Sequence, residues 1–253
     1  MGLNRLKRAG LFPVDFLAVI SEDSMKPLCK KYGIDYVEHD NLPLGRKKNF
    51  GLTEAFKKDW DYLIELGSDD VLKTELLELY RPYFQSNPLL HLSTFCYLNS
   101  IDLDCRLINT SVSYGMGRAI ERSTLEKCAR GVEIQAMDDL MCPGRSVFKG
   151  GIGFFKKKDA EVMEKVGQAK VLSDEKYKIW NDEINKRLDN NSNFFLARNG
   201  VMGHQIRSDE PMAIDIKSEE NIWAFNKEAG TPYDLTSALK GLSEEEKQAI
   251  LNL

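Results

Sequence analysis

Up to about residue 85, short apolar runs alternate with amphipathic stretches, the pattern of parallel strands joined by crossover helices and hence of an α/β fold. A charged helix over Leu3 to Ala9 precedes a buried strand within Val14 to Ile20. Met25 to Tyr32 reads as a helix and Asp35 to Glu38 as a short strand. The turn residues Asn41, Pro43 and Gly45 lead into a helix over Lys47 to Asp59. Tyr62 to Leu66 then forms a strand that runs into Gly67-Ser68-Asp69-Asp70, and a helix is expected over Val71 to Phe84. After Pro88 the texture changes, because the strands expected over Leu89 to Leu98 and Asp104 to Val112 are separated by Asn99 and Ser100 rather than by a helix. That half reads as antiparallel or mixed. Residues 126–169 follow no clear period, and Gly150, Gly151 and Gly153 suggest a loop that moves or approaches a ligand. Leu235 to Leu253 reads as a peripheral amphipathic helix starting near Thr236 or Ser243.

With 253 residues, 42% of them hydrophobic and 29% charged, the chain has an ordinary globular composition. A chain of this length hides roughly 75% of its unfolded surface on folding, so its core needs no staple. The 35 basic and 39 acidic residues give a net charge of -4, which argues against gripping nucleic acid or anionic lipid as the main task. Five cysteines without CxxC or CxH spacing speak against a disulfide framework and a zinc site, and a cytoplasmic location is the simplest expectation. Pro13 and Asp15 interrupt the first apolar run, so no signal peptide is expected, and no stretch approaches the roughly 18 apolar residues of a membrane span.

In open α/β sheets ligands gather beyond the carboxyl ends of strands, which is where Asp69 and Asp70 fall. Adjacent carboxylates repel unless a cation lies beside them, and Mg²⁺ or Mn²⁺ held by carboxylates commonly completes its shell with phosphate oxygens. The same pair also suits a helix cap ahead of Val71. Neither GxxxxGK[ST] nor GxSxG occurs, and Gly115-Met116-Gly117 lacks the third glycine of a dinucleotide fingerprint.

The segment Leu63-Ile64-Glu65-Leu66-Gly67-Ser68-Asp69-Asp70, after a helix carrying Asn49 and the turn 41–47, resembles the nucleotide-sugar-dependent glycosyltransferases of the GT-A fold, especially family 2-like enzymes. In that family a strand ends in an acidic DxD-type triplet and an Asn on the preceding helix lies near the nucleotide. Tyr114 to Ile120, Ile179 to Asp189, Asp215-Ile216-Lys217 and Asn221-Ile222-Trp223 are similar to later family segments in the same order. The likeness spans about residues 14 to 225. Here the first acidic position of the triplet is Gly67, and the chain is expected to begin in the helix after the family's opening strand.

The resemblance implies a single GT-A-like (Rossmann-like) domain with a mixed sheet flanked by helices. Residues 1–88 would form its nucleotide-binding half and 89–225 its acceptor half, with an insertion near 129–172 and a helical tail over 226–253. It implies inverting transfer of a sugar from a nucleotide-diphosphate donor to a hydroxyl acceptor, with Mn²⁺ or Mg²⁺ as cofactor. Such a transfer needs a base for the acceptor proton and positive charge for the departing diphosphate. Asp189 is the expected base, with Asp138 and Asp139 as rivals. Asp69 and Asp70 are the expected metal ligands, and His204 an additional one. Asp23, Lys47, Asn49, Ser68, Asp69 and Arg118 are candidates for the nucleotide sugar. The alternative is a GT-A-like domain without catalysis, serving in binding or assembly. A sugar-1-phosphate nucleotidyltransferase would carry a glycine-rich, arginine-containing loop after its first strand, which is not seen here.

Overall fold

The computed structural model describes residues 2–40, 44–111, 114–129, 196–197, 200–218 and 225–252. The chain divides into two units, one of residues 1–16, 60–124 and 201–253 and the other of residues 17–59 and 125–200. The first begins with α1 (Gly2–Arg8). The second contains the parallel pair β1 (Leu17–Ile20) and β2 (Asp35–Glu38), connected through a 3-10 turn at Asp23–Met25 and α2 (Lys26–Tyr32). The amide N–H of Gly33, at φ 63° in the left-handed region, closes the last turn of α2 on the carbonyls of Cys29 and Lys30. In α3 (Leu44–Phe56), a Cβ at Gly51 would lie 2.6 Å from Cγ2 of Val19. Glycine therefore lets the helix backbone approach β1 this closely.

Residues 60–124 supply β3 (Tyr62–Ile64), β4 (Asp70–Leu72), α4 (Glu75–Tyr80), β5 (Leu89–Leu92), β6 (Thr94–Asn99), β7 (Cys105–Asn109), β8 (Ala119–Glu121) and the start of α5 (Arg122–Ala129). Residues 201–253 add β9 (His204–Ile206), β10 (Ala213–Lys217), β11 (Thr231–Pro232), α6 (Leu235–Ala238) and α7 (Glu244–Leu251). These strands form a four-stranded sheet in the order β3-β8-β5-β9 and a five-stranded sheet in the order β11-β7-β6-β10-β4. Both are mixed. β8 runs antiparallel to β3 and β5, whereas β9 is parallel to β5. β10 is parallel to β6 and antiparallel to β4. The fold class is thus α/β with mixed sheets and flanking helices, compatible with a Rossmann-like fold.

Two cores cover the two faces of the five-stranded sheet. Leu72, Phe95 and Ala213 share a buried cluster with Leu90, Leu92 and Ile206 of the other sheet and with Leu76, Leu77 and Tyr80 of α4. Alternate residues on the opposite face, Cys96, Leu98, Ile214 and Ile216, pack against Ala238, Leu239, Leu242 and Ile250. Three sequence expectations fail where distant pairing or burial overrides the local pattern.

The helix expected over Val71 to Phe84 is instead β4, α4 and a 3-10 turn at Arg81–Tyr83. Pairing with β10 takes residues 70–72 into the sheet, and Pro82 lacks the N–H that a further α-helical turn requires. The single strand expected over Leu89 to Leu98 is two strands in different sheets, broken at Ser93. There the Ser93 N–H and Oγ–H both donate to the Ile206 carbonyl at 2.9 Å. The tail is not a peripheral helix but two short helices whose apolar side chains close the second core. Asp234 caps α6, and Ser243 with Glu246 forms a capping box on α7.

Arg5 fastens α1 to this frame. Its guanidinium donates to the Leu72 carbonyl and to Thr74 Oγ1, each at 2.7 Å, and pairs with Glu246 at 3.2 Å. Replacing Arg5 by Ala leaves Glu246, only 6% exposed, without its cation. The expected loss is about 2–3 kcal/mol in chemical denaturation, against about 1 kcal/mol for Ser243→Ala. Equal, small losses for the two variants would refute the clamp.

Candidate functional site

The turn after β3 is built to present carboxylates. Gly117 N–H donates to the Glu65 carbonyl at 2.9 Å and Glu65 N–H to that of Arg118 at 3.0 Å, tying the strand end to the segment ahead of β8. The side chains repeat the tie, with the Arg118 guanidinium 2.5 Å from the Glu65 carboxylate. Gly67 N–H then donates to Asp70 Oδ2 at 2.7 Å, closing the turn. A Cβ at Gly67 would fall 2.7 Å from Asp69 Oδ1 and 2.8 Å from Asp70 Oδ2. The residue at the first position of the triplet is thus one whose lack of a side chain lets the next two carboxylates fold back over it.

The register of β4 against β10 supplies the third acid. Ile216 N–H donates to the Asp69 carbonyl and Lys73 N–H to that of Met212, both at 2.9 Å. These bonds mark the hydrogen-bonded pairs of an antiparallel ladder. Asp70 and Asp215, directly opposite each other between them, therefore form a non-hydrogen-bonded pair, the kind whose side chains come closest. Carboxylate oxygens of Asp69, Asp70 and Asp215 lie within 4.8 Å of one another. At that distance two unit charges repel by roughly 3 kcal/mol at an effective dielectric near 20, so the arrangement demands positive charge.

Lys217 supplies part of it. Two residues beyond Asp215 on the same face of β10, its Nζ lies 2.7 Å from Asp215 and 3.7 Å from Asp69, with the side chain only 8% exposed. It also stands 5.5 Å from the ring centroid of Tyr97, the residue level with Asp215 on β6. The Phe95 ring, two residues away on the same strand, packs at 5.1 Å from Tyr114. Burial, with Asp215 and Asp69 adding to it, pushes the Asp70 carboxyl up to about 7 against the pull of the Gly67 N–H and Lys217. Burial likewise raises the Tyr97 phenol, and Tyr114 adds to the shift.

Of the candidates read from sequence, this geometry brings together Asp69 and Asp70, with Ser68 exposed on the same turn. Arg118 is not available to a phosphate, since it is fully buried and serves the Glu65 ion pair. Helix capping is also excluded for Asp69 and Asp70, because the residue after them is in β4 and not at a helix start. His204, on the other sheet, is exposed and stacks on Tyr83 at 4.8 Å. It does not join the acidic group found among the described residues. Asp23 and Lys47 belong to the other unit, the former paired with Lys26 at 2.7 Å and the latter half-buried. Burial lowers the Lys47 amine from its ordinary value, with Glu22 opposing. Asn49 lies on α3 in that unit, whereas Asp138, Asp139 and Asp189 lie outside the described residues.

Sequence reasoning missed Asp215, Lys217 and Tyr97 as site residues. A signal existed in Ala213-Ile214-Asp215-Ile216-Lys217, whose strict alternation puts two charged residues on one face of a strand. The resulting donor set is all oxygen. It fits a hard divalent cation such as Mg²⁺ or Mn²⁺ and would not select a soft metal.

Because the folded state holds a proton on Asp70 up to about pH 7 whereas the unfolded chain releases it near 3.8, stability falls as pH rises through that window and levels off above it. In EDTA, Asp70→Asn is expected to flatten this slope and to stabilise the chain by roughly 2 kcal/mol at pH 8, read from urea midpoints. A variant less stable than the parent at pH 8 would contradict the strained carboxyl. Compared with protein-family models and with curated proteins, the chain matches none.

Proposed function

We propose that the chain is a glycosyltransferase that moves a sugar from a nucleotide-diphosphate donor to a hydroxyl acceptor with inversion, aided by a divalent ion at Asp69, Asp70 and Asp215. One observation carries the reading. The GSDD turn, which by sequence resembles the DxD-type triplet of GT-A enzymes, is met by a third carboxylate across the β4–β10 ladder. The mixed α/β architecture is compatible with such a nucleotide-binding domain.

When bound, Mn²⁺ or Mg²⁺ would supply positive charge to the diphosphate oxygens of the leaving group. Asp69, whose side chain is 33% exposed against 12% for Asp215, is the ligand nearest to substrate. Asp70 and Asp215 hold the inner side of the site. In the transfer, the acceptor oxygen forms a bond to the anomeric carbon as that carbon's bond to the diphosphate oxygen breaks. The acceptor proton passes to a carboxylate, for which Asp189 is the choice made from sequence and Asp138 and Asp139 the rivals. Ser68, exposed on the same turn as Asp69, is placed beside the nucleotide sugar, and Arg118 gives up its own place to Glu65.

Purified protein should bind uridine or guanosine diphosphate at least tenfold more tightly in Mn²⁺ than in EDTA, measured by calorimetry. Asp69→Ala and Asp215→Asn should each remove that difference. Turnover of a nucleotide-sugar panel should disappear in the same variants. Equal binding with and without metal in the parent protein would reject the ion's role.

A further inference from the structure

We infer that Lys217 is an internal cation occupying part of the divalent ion's place, so that the metal and an anionic diphosphate bind strongly only together. The inference rests on the metal reading above and adds to it an order and a dependence.

The argument begins with charge. Three ionised carboxylates and one ammonium sum to -2. One divalent ion brings the fully ionised set, Lys217 included, to zero. Neutrality suits a site whose inner members are buried, because an uncompensated charge removed from water is costly. The position of the ammonium decides the outcome. At 2.7 Å from Asp215 and 3.7 Å from Asp69, it engages two of the three acids that a metal would need. A divalent ion arriving alone meets this positive charge at contact range.

Lys217 also has little room to withdraw. Its side chain is 8% exposed, the Tyr97 ring stands on one side, and the strand that carries it is buried along its whole length. A phosphate oxygen entering with the metal removes the conflict, since it offers the ammonium a new acceptor while the cation takes over the carboxylates. Lys217 would then be a positioning residue that couples the two ligands. Arg at this position would keep the charge, whereas Met would keep most of the packing and remove it.

The test uses Mn²⁺ alone and Mn²⁺ with inorganic pyrophosphate as the anionic probe, on the full chain. Free Mn²⁺ is followed by electron paramagnetic resonance, and the complex of Mn²⁺ with pyrophosphate in solution is subtracted. Lys217→Met should bind Mn²⁺ alone at least tenfold more tightly than the parent, because losing one positive charge beside a divalent ion is worth that factor even at water-like screening. Lys217→Arg should bind like the parent. In the parent, pyrophosphate should tighten Mn²⁺ binding by at least tenfold, and in Lys217→Met the coupling should shrink towards one. A merely structural lysine would weaken metal binding when removed, the opposite sign.

Equal or weaker Mn²⁺ binding by folded Lys217→Met, with the parent binding measurably, overturns this inference and leaves the metal reading standing. Lack of Mn²⁺ binding by any form, with or without pyrophosphate, overturns both. If the Met variant does not fold, the parent's own pyrophosphate coupling decides, and a factor near one overturns the inference.

Discussion

The antiparallel pairing of Asp70 with Asp215 is the constraint from which the site follows. Side chains opposite each other at a non-hydrogen-bonded pair are held close by the backbone, so two acids there cannot relieve their repulsion by moving apart. The consequences are the buried ammonium of Lys217 and the all-oxygen donor set, and Asp215 adds to the burial that raises the Asp70 carboxyl. A structural role alone would be met better by an apolar pair, which these positions on a buried sheet could accommodate. The local cost is the physical feature on which the proposed ligand role rests.

Rigidity around the pair comes from elements that never touch it. Glu65 and Arg118 fix the end of β3, and Tyr80 Oη donates to the Gly117 carbonyl at 2.9 Å from within the first core. Arg5 binds the carbonyl of Leu72, two residues beyond Asp70, and so pins β4 from the side of α1. A site that must hold three like charges within a few ångströms depends on such support, because any slack would be taken up by carboxylates turning towards solvent.

Much of this frame was legible in the chain. The alternation up to residue 85 placed β1, α2, β2, α3 and β3 nearly where they lie, and turn chemistry marked Gly67 to Asp70 as a rim. What failed did so where distant pairing overrides local pattern. Residues 70–72 are too few to show a strand period and become one only by joining β10. Ser93 divides an apolar run that reads as continuous because both sheets bury it. Arg118 looked like a phosphate ligand because sequence cannot reveal that Glu65 waits for it. Asp215 and Lys217 lie about 150 residues further along than Asp69 and Asp70, so no short motif joins the four.

The C-terminal helices give the chain a long-range mechanical link. Ile214 and Ile216 flank Asp215 in sequence and point the other way, into the cluster with Leu239, Leu242 and Ile250. Peeling α6 and α7 from that surface would uncover the back of β10 and loosen the one strand that supplies both an acid and the ammonium. Whatever loads or releases those last helices, whether a neighbouring protein or a change of solvent, would thereby act as a remote brake on the proposed cation capture.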